Sequence, residues 1–467
     1  MRYVSTRGAA PTLGFEEVLL AGLARDGGLY VPESWPAFDA AALGRLAGLS
    51  YRALAFEVVR PFVGEALSAA ELAPLIDRAY DSFGHRAVAP LKQLDQGLWL
   101  LELFHGPTLA FKDVALQLVG GLFDHVLRRR GRRITIVGAT SGDTGSAAIE
   151  AVRDRAAIDI FMLHPHGRVS EVQRRQMTTV ASANVHNIAI EGSFDDCQDL
   201  VKAMFADAAF RDEMALSAVN SINWARVMAQ TVYYFAAALA LGAPDRQVAF
   251  AVPTGNFGNV YAGYAARAMG LPVARLLVGS NRNDILTRCL EADDMSVRPV
   301  EPSLSPSMDI QISSNFERLL FDLGDRDGAG VAAAMAAFRR DGKLPLGADR
   351  LARARRVFAG YRVSDEETLA VMRDVHRRTG ELIDPHSAIA VAGGWQRREP
   401  GAPPLVALGT AHPAKFPDAV ERATGIRPPL PPHLADLYRR TERCTVLPAE
   451  LGALLAHIRS RRLKGAA

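Results

Sequence analysis

The chain has 467 residues, 49% apolar and 22% charged, with 54 Lys and Arg against 51 Asp and Glu for a formal net charge of +3. Such length allows roughly three domains of about 150 residues. So even a charge balance gives no global field to draw in nucleic acid or a membrane surface.

The basic runs Arg128-Arg129-Arg130 with Arg132-Arg133, and Arg459 to Lys464, lack interleaved aromatics and read as solvated helix ends and a frayed terminus. Cys197, Cys289 and Cys444 lie far apart without metal-ligand spacing, so no metal is expected. So few cysteines suit a reducing compartment. No basic, then apolar, leader opens the chain, and no run approaches the roughly 18 apolar residues of a membrane span. A cytoplasmic protein is expected, with monomer and homodimer both open.

Taken in order, the first 95 residues read as a mainly helical region. Apolar residues recur at helical spacing from Phe15 to Leu23 and from Tyr51 to Val59. From Trp99 the texture changes to short apolar runs that end in glycine-rich turns and alternate with helical stretches. Ile134 to Val137 leads into Gly138 to Gly145 and an alanine-rich helix. Ile158 to Leu163 and Val185 to Ile190 are strand candidates. Gln247 to Val252 leads into Pro253 to Asn259 and a helix through Met269. Val273 to Gly279 and Leu405 to Leu408 complete the set. Strands alternating with helices predict βαβ units, mostly parallel twisted sheets and an α/β class. The expected layout is a catalytic region over 96–430, with a smaller αβ part at about 130–215, and a helical tail over 431–467. In such sheets ligands sit beyond the carboxyl ends of the strands, where the glycine-rich turns fall.

Five segments could carry chemistry. In Glu102 to Asp113 (ELFHGPTLAFKD), Lys112 follows an apolar approach and opens a helical pattern. A free lysine amine, with a pKa of about 10.4, is only about 0.04% neutral at pH 7. Burial among Phe104, Leu109 and Phe111 would expose a nucleophile suited to an imine; a surface lysine at a helix start is the plainer alternative. Ser141-Gly142-Asp143-Thr144-Gly145 offers close backbone approach and helix N–H groups to an anion, or else a turn capped by Asp143 or Thr144. Gly255-Asn256-Phe257-Gly258-Asn259 repeats the arrangement at another strand end, as a phosphate turn or a plain one; it lacks the dinucleotide spacing. Asn220-Ser221-Ile222-Asn223-Trp224-Ala225-Arg226 sets two amides, a hydroxyl and a guanidinium before an apolar helix. This suits a phosphate monoester, or a cap with an exposed arginine. Gly409 to Phe416 (GTAHPAKF) is a hydroxyl that could meet a ring nitrogen, or a polar loop. His105, His412 and Lys415 read either as residues around a catalytic centre or as satisfied structural residues, and Asp384-Pro385-His386-Ser387 as an N-cap.

Together the motifs ELFHGPTLAFKD, TSGDTGSAA, NSINWAR, GNFGN and GTAHPAKF, with YVSTRG at Tyr3 to Gly8 and DGGLYVP at Asp26 to Pro32, resemble the threonine synthase family of the longer bacterial and fungal type. Its pyridoxal-phosphate fold, fold type II, is shared with the tryptophan synthase β subunit. The resemblance implies that Lys112 bears pyridoxal phosphate as a Schiff base and that Gly255, Asn256, Phe257, Gly258 and Asn259 hold the coenzyme phosphate. Thr410 would face the ring nitrogen, a neutral partner that favours chemistry at the β and γ carbons. It further implies that Ser141, Gly142 and Thr144 take the substrate α-carboxylate, while Asn220, Ser221 and Arg226 take its phosphate. The implied reaction converts O-phospho-L-homoserine and water into L-threonine and phosphate. Related lyases put an asparagine where Asp143 stands, donating to the coenzyme phenolate. An ionised aspartate can only accept, so Asp143 is expected instead to orient the Ser141–Thr144 turn. The rival expectations are a threonine dehydratase or cysteine synthase of the same fold, and a binding protein that has lost catalysis.

Overall fold

A strand covered on both faces needs apolar side chains without alternation, and the runs noted above have that character. The structure, a computed structural model, describes residues 1–217, 221–398 and 401–462. Asn220 therefore lies outside the described residues. The contacts divide the chain into two units, one of residues 1–19, 23–111 and 221–428, the other of residues 20–22, 112–220 and 429–467.

The first unit is built on a six-stranded sheet ordered Phe358–Arg362, Val273–Ser280, Val248–Pro253, Leu405–Gly409, Leu98–Glu102 and Leu91–Asp95. Its pairs are parallel except the last, an antiparallel hairpin. Helix Pro385–Arg397 buries Ala388 to Ala392 in a core cluster with Leu98, Leu100, Leu405 and Ala407 of the sheet. The carboxyl ends of Val248–Pro253 and Leu405–Gly409 run straight into Thr254–Asn259 and Thr410.

The N-terminal region contains more than helices. Tyr3–Ser5 and Tyr30–Pro32 pair as a short antiparallel ladder, too brief to show alternation in sequence. The region packs on helix Trp224–Ala240, with Phe38 meeting Phe235 at 5.4 Å and a cluster of rings around Trp224. Trp224 is met by Tyr3 and Trp35 at 6.0 Å and by Phe62 at 5.6 Å. Such pairs add about 0.5–1.5 kcal/mol each beyond area burial, and they anchor the helix that begins at the NSINWAR motif.

The second unit carries an all-parallel five-stranded sheet, ordered Thr445–Pro448, Val185–Glu191, Ile158–Pro165, Ile134–Ala139 and Leu216–Ser217. The expected helical tail is corrected here. It supplies an edge strand, Thr445–Pro448, before helix Leu451–Arg461, whose Leu454 and Ile458 join the core of this unit. This unit begins at Lys112 rather than near residue 130, because helix Lys112–Arg129 packs on helix Asp143–Val152. At Gly120 a β-carbon would collide with the Ala151 carbonyl. That close approach brings the start of one helix to the start of the other.

Candidate active site

Lys112 is the first residue of its helix and is 7% exposed. It is thus not a surface lysine. Its Nζ lies 3.3 Å from Asp143 Oδ2, so the buried amine has an ion-pair partner. Asp143 Oδ1 accepts from Gln173 Nε2 at 2.8 Å, and Ser170 Oγ donates to Gln173 Oε1 at 2.8 Å. Each oxygen of the Asp143 carboxylate therefore has a named donor.

The Ser141–Gly145 turn is held by a residue outside the expected set. Thr140 Oγ1, buried behind the turn, accepts from Gly142 N at 3.0 Å and Gly145 N at 2.9 Å. The Asp143 side chain reaches Lys112 and Gln173, and Thr140 holds the N–H groups of the turn. Gly142 has φ 141°, a conformation natural to glycine alone. A β-carbon there would sit 2.5 Å from Gln173 Cδ. Ser141 is exposed and Thr144 half-buried, each open to a ligand at the start of helix Asp143–Val152.

In the first unit, the Gly255–Asn259 turn is tied internally. Thr254 Oγ1 donates to Asn259 Oδ1 at 2.7 Å and accepts from Phe257 N at 3.1 Å, while Asn259 Nδ2 donates to Pro253 O at 3.0 Å. Phe257 takes a left-handed φ of 63°. The side chain of Asn259 is thereby spent on shaping the turn. The backbone N–H groups of Gly258 and Asn259, the first residues of helix Gly258–Ala268, have no intrahelical acceptor and suit an anion. At Gly255 a β-carbon would lie 2.9 Å from Ile310 Cδ1. Met308 Cα and Ser307 O lie 3.2 Å from the same point, so a side chain at Gly255 would press on the main chain packed behind the turn.

Asn223 caps helix Trp224–Ala240, accepting from Ala225 N at 2.9 Å. The capping alternative thus holds for Asn223, but its exposed arginine does not. Arg226 is 4% exposed, and its Nε and Nη1 find no acceptor among the described residues. Burial pushes its pKa down to about 10, with Tyr233 opposing; the group is still charged at neutral pH. An arginine buried in this way is costly unless an anion joins it.

Thr410 follows strand Leu405–Gly409. Its carbonyl accepts from Phe111 N at 2.8 Å, and its own N–H donates to Ser387 Oγ at 3.2 Å. Ser387 donates in turn to Asp384, which caps its helix and accepts from His386 Nδ1 at 2.7 Å. The remaining candidates each have a protein partner. His105 meets Glu102 at 2.8 Å, His412 Nδ1 accepts from Ala414 N at 3.1 Å, and the fully buried Lys415 donates to Thr108 O at 2.7 Å.

Comparison with known proteins decides the family. A threonine synthase N-terminal family model matches residues 2–80, a pyridoxal-phosphate-dependent enzyme model residues 85–340, and a threonine synthase C-terminal model residues 387–458. The threonine synthase of Pseudomonas aeruginosa is 58% identical over 466 residues, spanning 100% of this chain and 99% of that one. The chain belongs to the threonine synthase family. The crystal structure of the pyridoxal-phosphate-bound threonine synthase from Brucella melitensis matches with TM-score 0.97 at 53% identity, over 99% of this chain and 100% of that one. Yeast threonine synthase matches with TM-score 0.93 at 39% identity, over 98% of each chain. Membership carries the enzyme class with it: this is a pyridoxal-phosphate-dependent lyase that forms threonine, with the α/β fold of type II pyridoxal-phosphate enzymes. No described helix is long and apolar enough to cross a membrane.

Thr140 and Gln173 are supporting residues that pattern alone does not show, since each acts through hydrogen bonds to groups brought beside it only by the fold. Gly142→Ala should expose how tightly the threonine synthase turn is set. The added methyl meets Gln173 and strains φ, so kcat/KM is expected to fall about 10- to 100-fold while the coenzyme stays bound. Steady-state kinetics beside a visible absorption spectrum checks both halves.

Proposed function

We propose that the chain acts on O-phospho-L-homoserine, and that Arg226 with Ser221 and Asn220 holds the substrate phosphate. The carrying observation is the buried guanidinium whose Nε and Nη1 lack acceptors among the described residues. A serine or threonine substrate would leave that charge uncompensated; a phosphate monoester supplies the missing oxygens. Ser141, Gly142 and Thr144, at a helix start, suit the α-carboxylate.

Lys112 is proposed to hold pyridoxal phosphate, whose own phosphate takes the Gly255–Asn259 turn, with Thr410 toward the ring nitrogen. When bound, the coenzyme supplies an electron sink for charge developing at the α and β carbons of the substrate. The protein does the rest. When not bonded to the coenzyme, Lys112 would be a free amine able to take and return protons at those carbons. Asp143, held by Gln173, keeps the amine aimed and stabilises it when protonated. Arg226 neutralises the phosphate as the bond from Cγ to oxygen breaks and the phosphate leaves with its electron pair. Water then adds its oxygen at Cβ, and Cγ gains a proton to become the methyl group of threonine. The rival dehydratase and cysteine synthase lack a second phosphate to place.

The test is turnover. Incubation with O-phospho-L-homoserine should yield threonine and inorganic phosphate in equal amounts, with serine and threonine turned over at least about 100-fold more slowly. Faster deamination of threonine, or phosphate release without threonine, would end this reading. Three unpaired cysteines suit a reducing cytoplasm as the place of reaction.

A further inference from the structure

The segment 305–315 looks in sequence like a featureless proline- and serine-containing loop. In the structure it closes on the Gly255–Asn259 turn. Ser313 Oγ donates to Gly255 O, and Asn315 N donates to Asn256 O at 3.1 Å. The side chain of Asn315, fully buried, spends both amide hydrogens on main-chain carbonyls. Nδ2 lies 3.1 Å from Asn256 O, on the coenzyme-phosphate turn, and 3.1 Å from Ser221 O, on the substrate-phosphate motif. Its Oδ1 accepts from Arg318 Nη1. The same guanidinium donates to Ile222 O and, at 3.0 Å, to Tyr30 O. A β-carbon at Gly258 would lie 3.1 Å from Asn315 Nδ2, so the turn rests directly against this amide.

We propose that Asn315 is a positioning residue that couples the two anion subsites, so that a phosphate held by Ser221 and Arg226 tightens the grip on the coenzyme phosphate. The inference rests on the proposed assignment of those subsites. Its logic is thermodynamic. A ligand that orders one turn pays for ordering the shared amide, and the second ligand then pays less. Two phosphates without such a link would only repel, so the sign of the coupling is diagnostic.

The test uses the holoenzyme and inorganic phosphate as probe. The coenzyme site is already filled, so added phosphate meets the substrate subsite. Coenzyme release into an albumin trap is followed by loss of visible absorbance, with potassium chloride of equal ionic strength as control. In the wild type, saturating phosphate is expected to slow release about fivefold or more, a typical coupling factor. Asn315→Asp puts an acceptor against both carbonyls and should bring the factor within about twofold of unity. If that variant does not fold, Arg318→Lys loosens Asn315 and should at least halve the factor. Unchanged or faster release in the wild type, or undiminished slowing in the folded variant, would overturn the proposal. Failure of the underlying assignment shows separately, as wild-type enzyme that releases no phosphate from O-phospho-L-homoserine.

Discussion

Lys112→Ala is expected to lower turnover of O-phospho-L-homoserine by roughly 10⁴-fold or more, because it removes both the covalent anchor and the proton-transfer group. It also strands a buried carboxylate. Asp143 keeps Gln173 Nε2 at 2.8 Å but loses Nζ at 3.3 Å, and a carboxylate left buried beside a void costs about 1–3 kcal/mol. Activity and stability therefore fall together in this variant. Lys112→Arg separates them. Its guanidinium retains a positive charge for Asp143 yet forms no stable imine, so turnover vanishes while the melting temperature stays near the wild-type value. Assay of phosphate and threonine beside a thermal melt distinguishes the two effects. Turnover surviving in either variant would remove Lys112 from the chemistry.

Arg226→Leu is expected to do the reverse to stability. The arginine is 4% exposed, with Nε and Nη1 lacking acceptors among the described residues, and burial already presses its pKa down to about 10. A leucine in that place relieves the desolvation cost, and such replacements are often neutral or stabilising by about 1–4 kcal/mol. The variant holoenzyme should melt at or above the wild type when no phosphate is present. Its kcat/KM should fall by about 10²–10³, the usual cost of truncating one member of a buried charge pair. Added phosphate should raise the melting temperature of the wild type and leave that of the variant unmoved. A variant with ordinary kinetics, or one still stabilised by phosphate, would show that the guanidinium holds something else.

Much of this site is visible in sequence because its parts sit where strands end. Ile134–Ala139, Val248–Pro253 and Leu405–Gly409 are buried runs that stop at glycine or a hydroxyl, and parallel sheets write that signal strongly. The edges are written weakly. Thr445–Pro448 has four residues of alternating exposure, and Phe358–Arg362 is interrupted by Gly360. Each is recognised only by its neighbouring strand. The supporting polar residues are weaker still. Gln173 lies on the buried side of helix Glu171–Thr178, where a glutamine looks like a solvent-facing residue until Asp143 is placed beside it. Asn315 and Arg318 act on main-chain carbonyls, and a carbonyl has no side-chain identity to pair with in a sequence. Burial of Arg226 was equally hidden, since the spacing of NSINWAR is shared by a capped helix with a solvated arginine.

Borohydride reduction of the coenzyme-loaded enzyme, followed by peptide mapping, puts the central assignment to its most direct trial. The coenzyme should be fixed to one peptide, at Lys112. Labelling of Lys415, the other buried lysine among the described residues, or of no lysine at all, would contradict it.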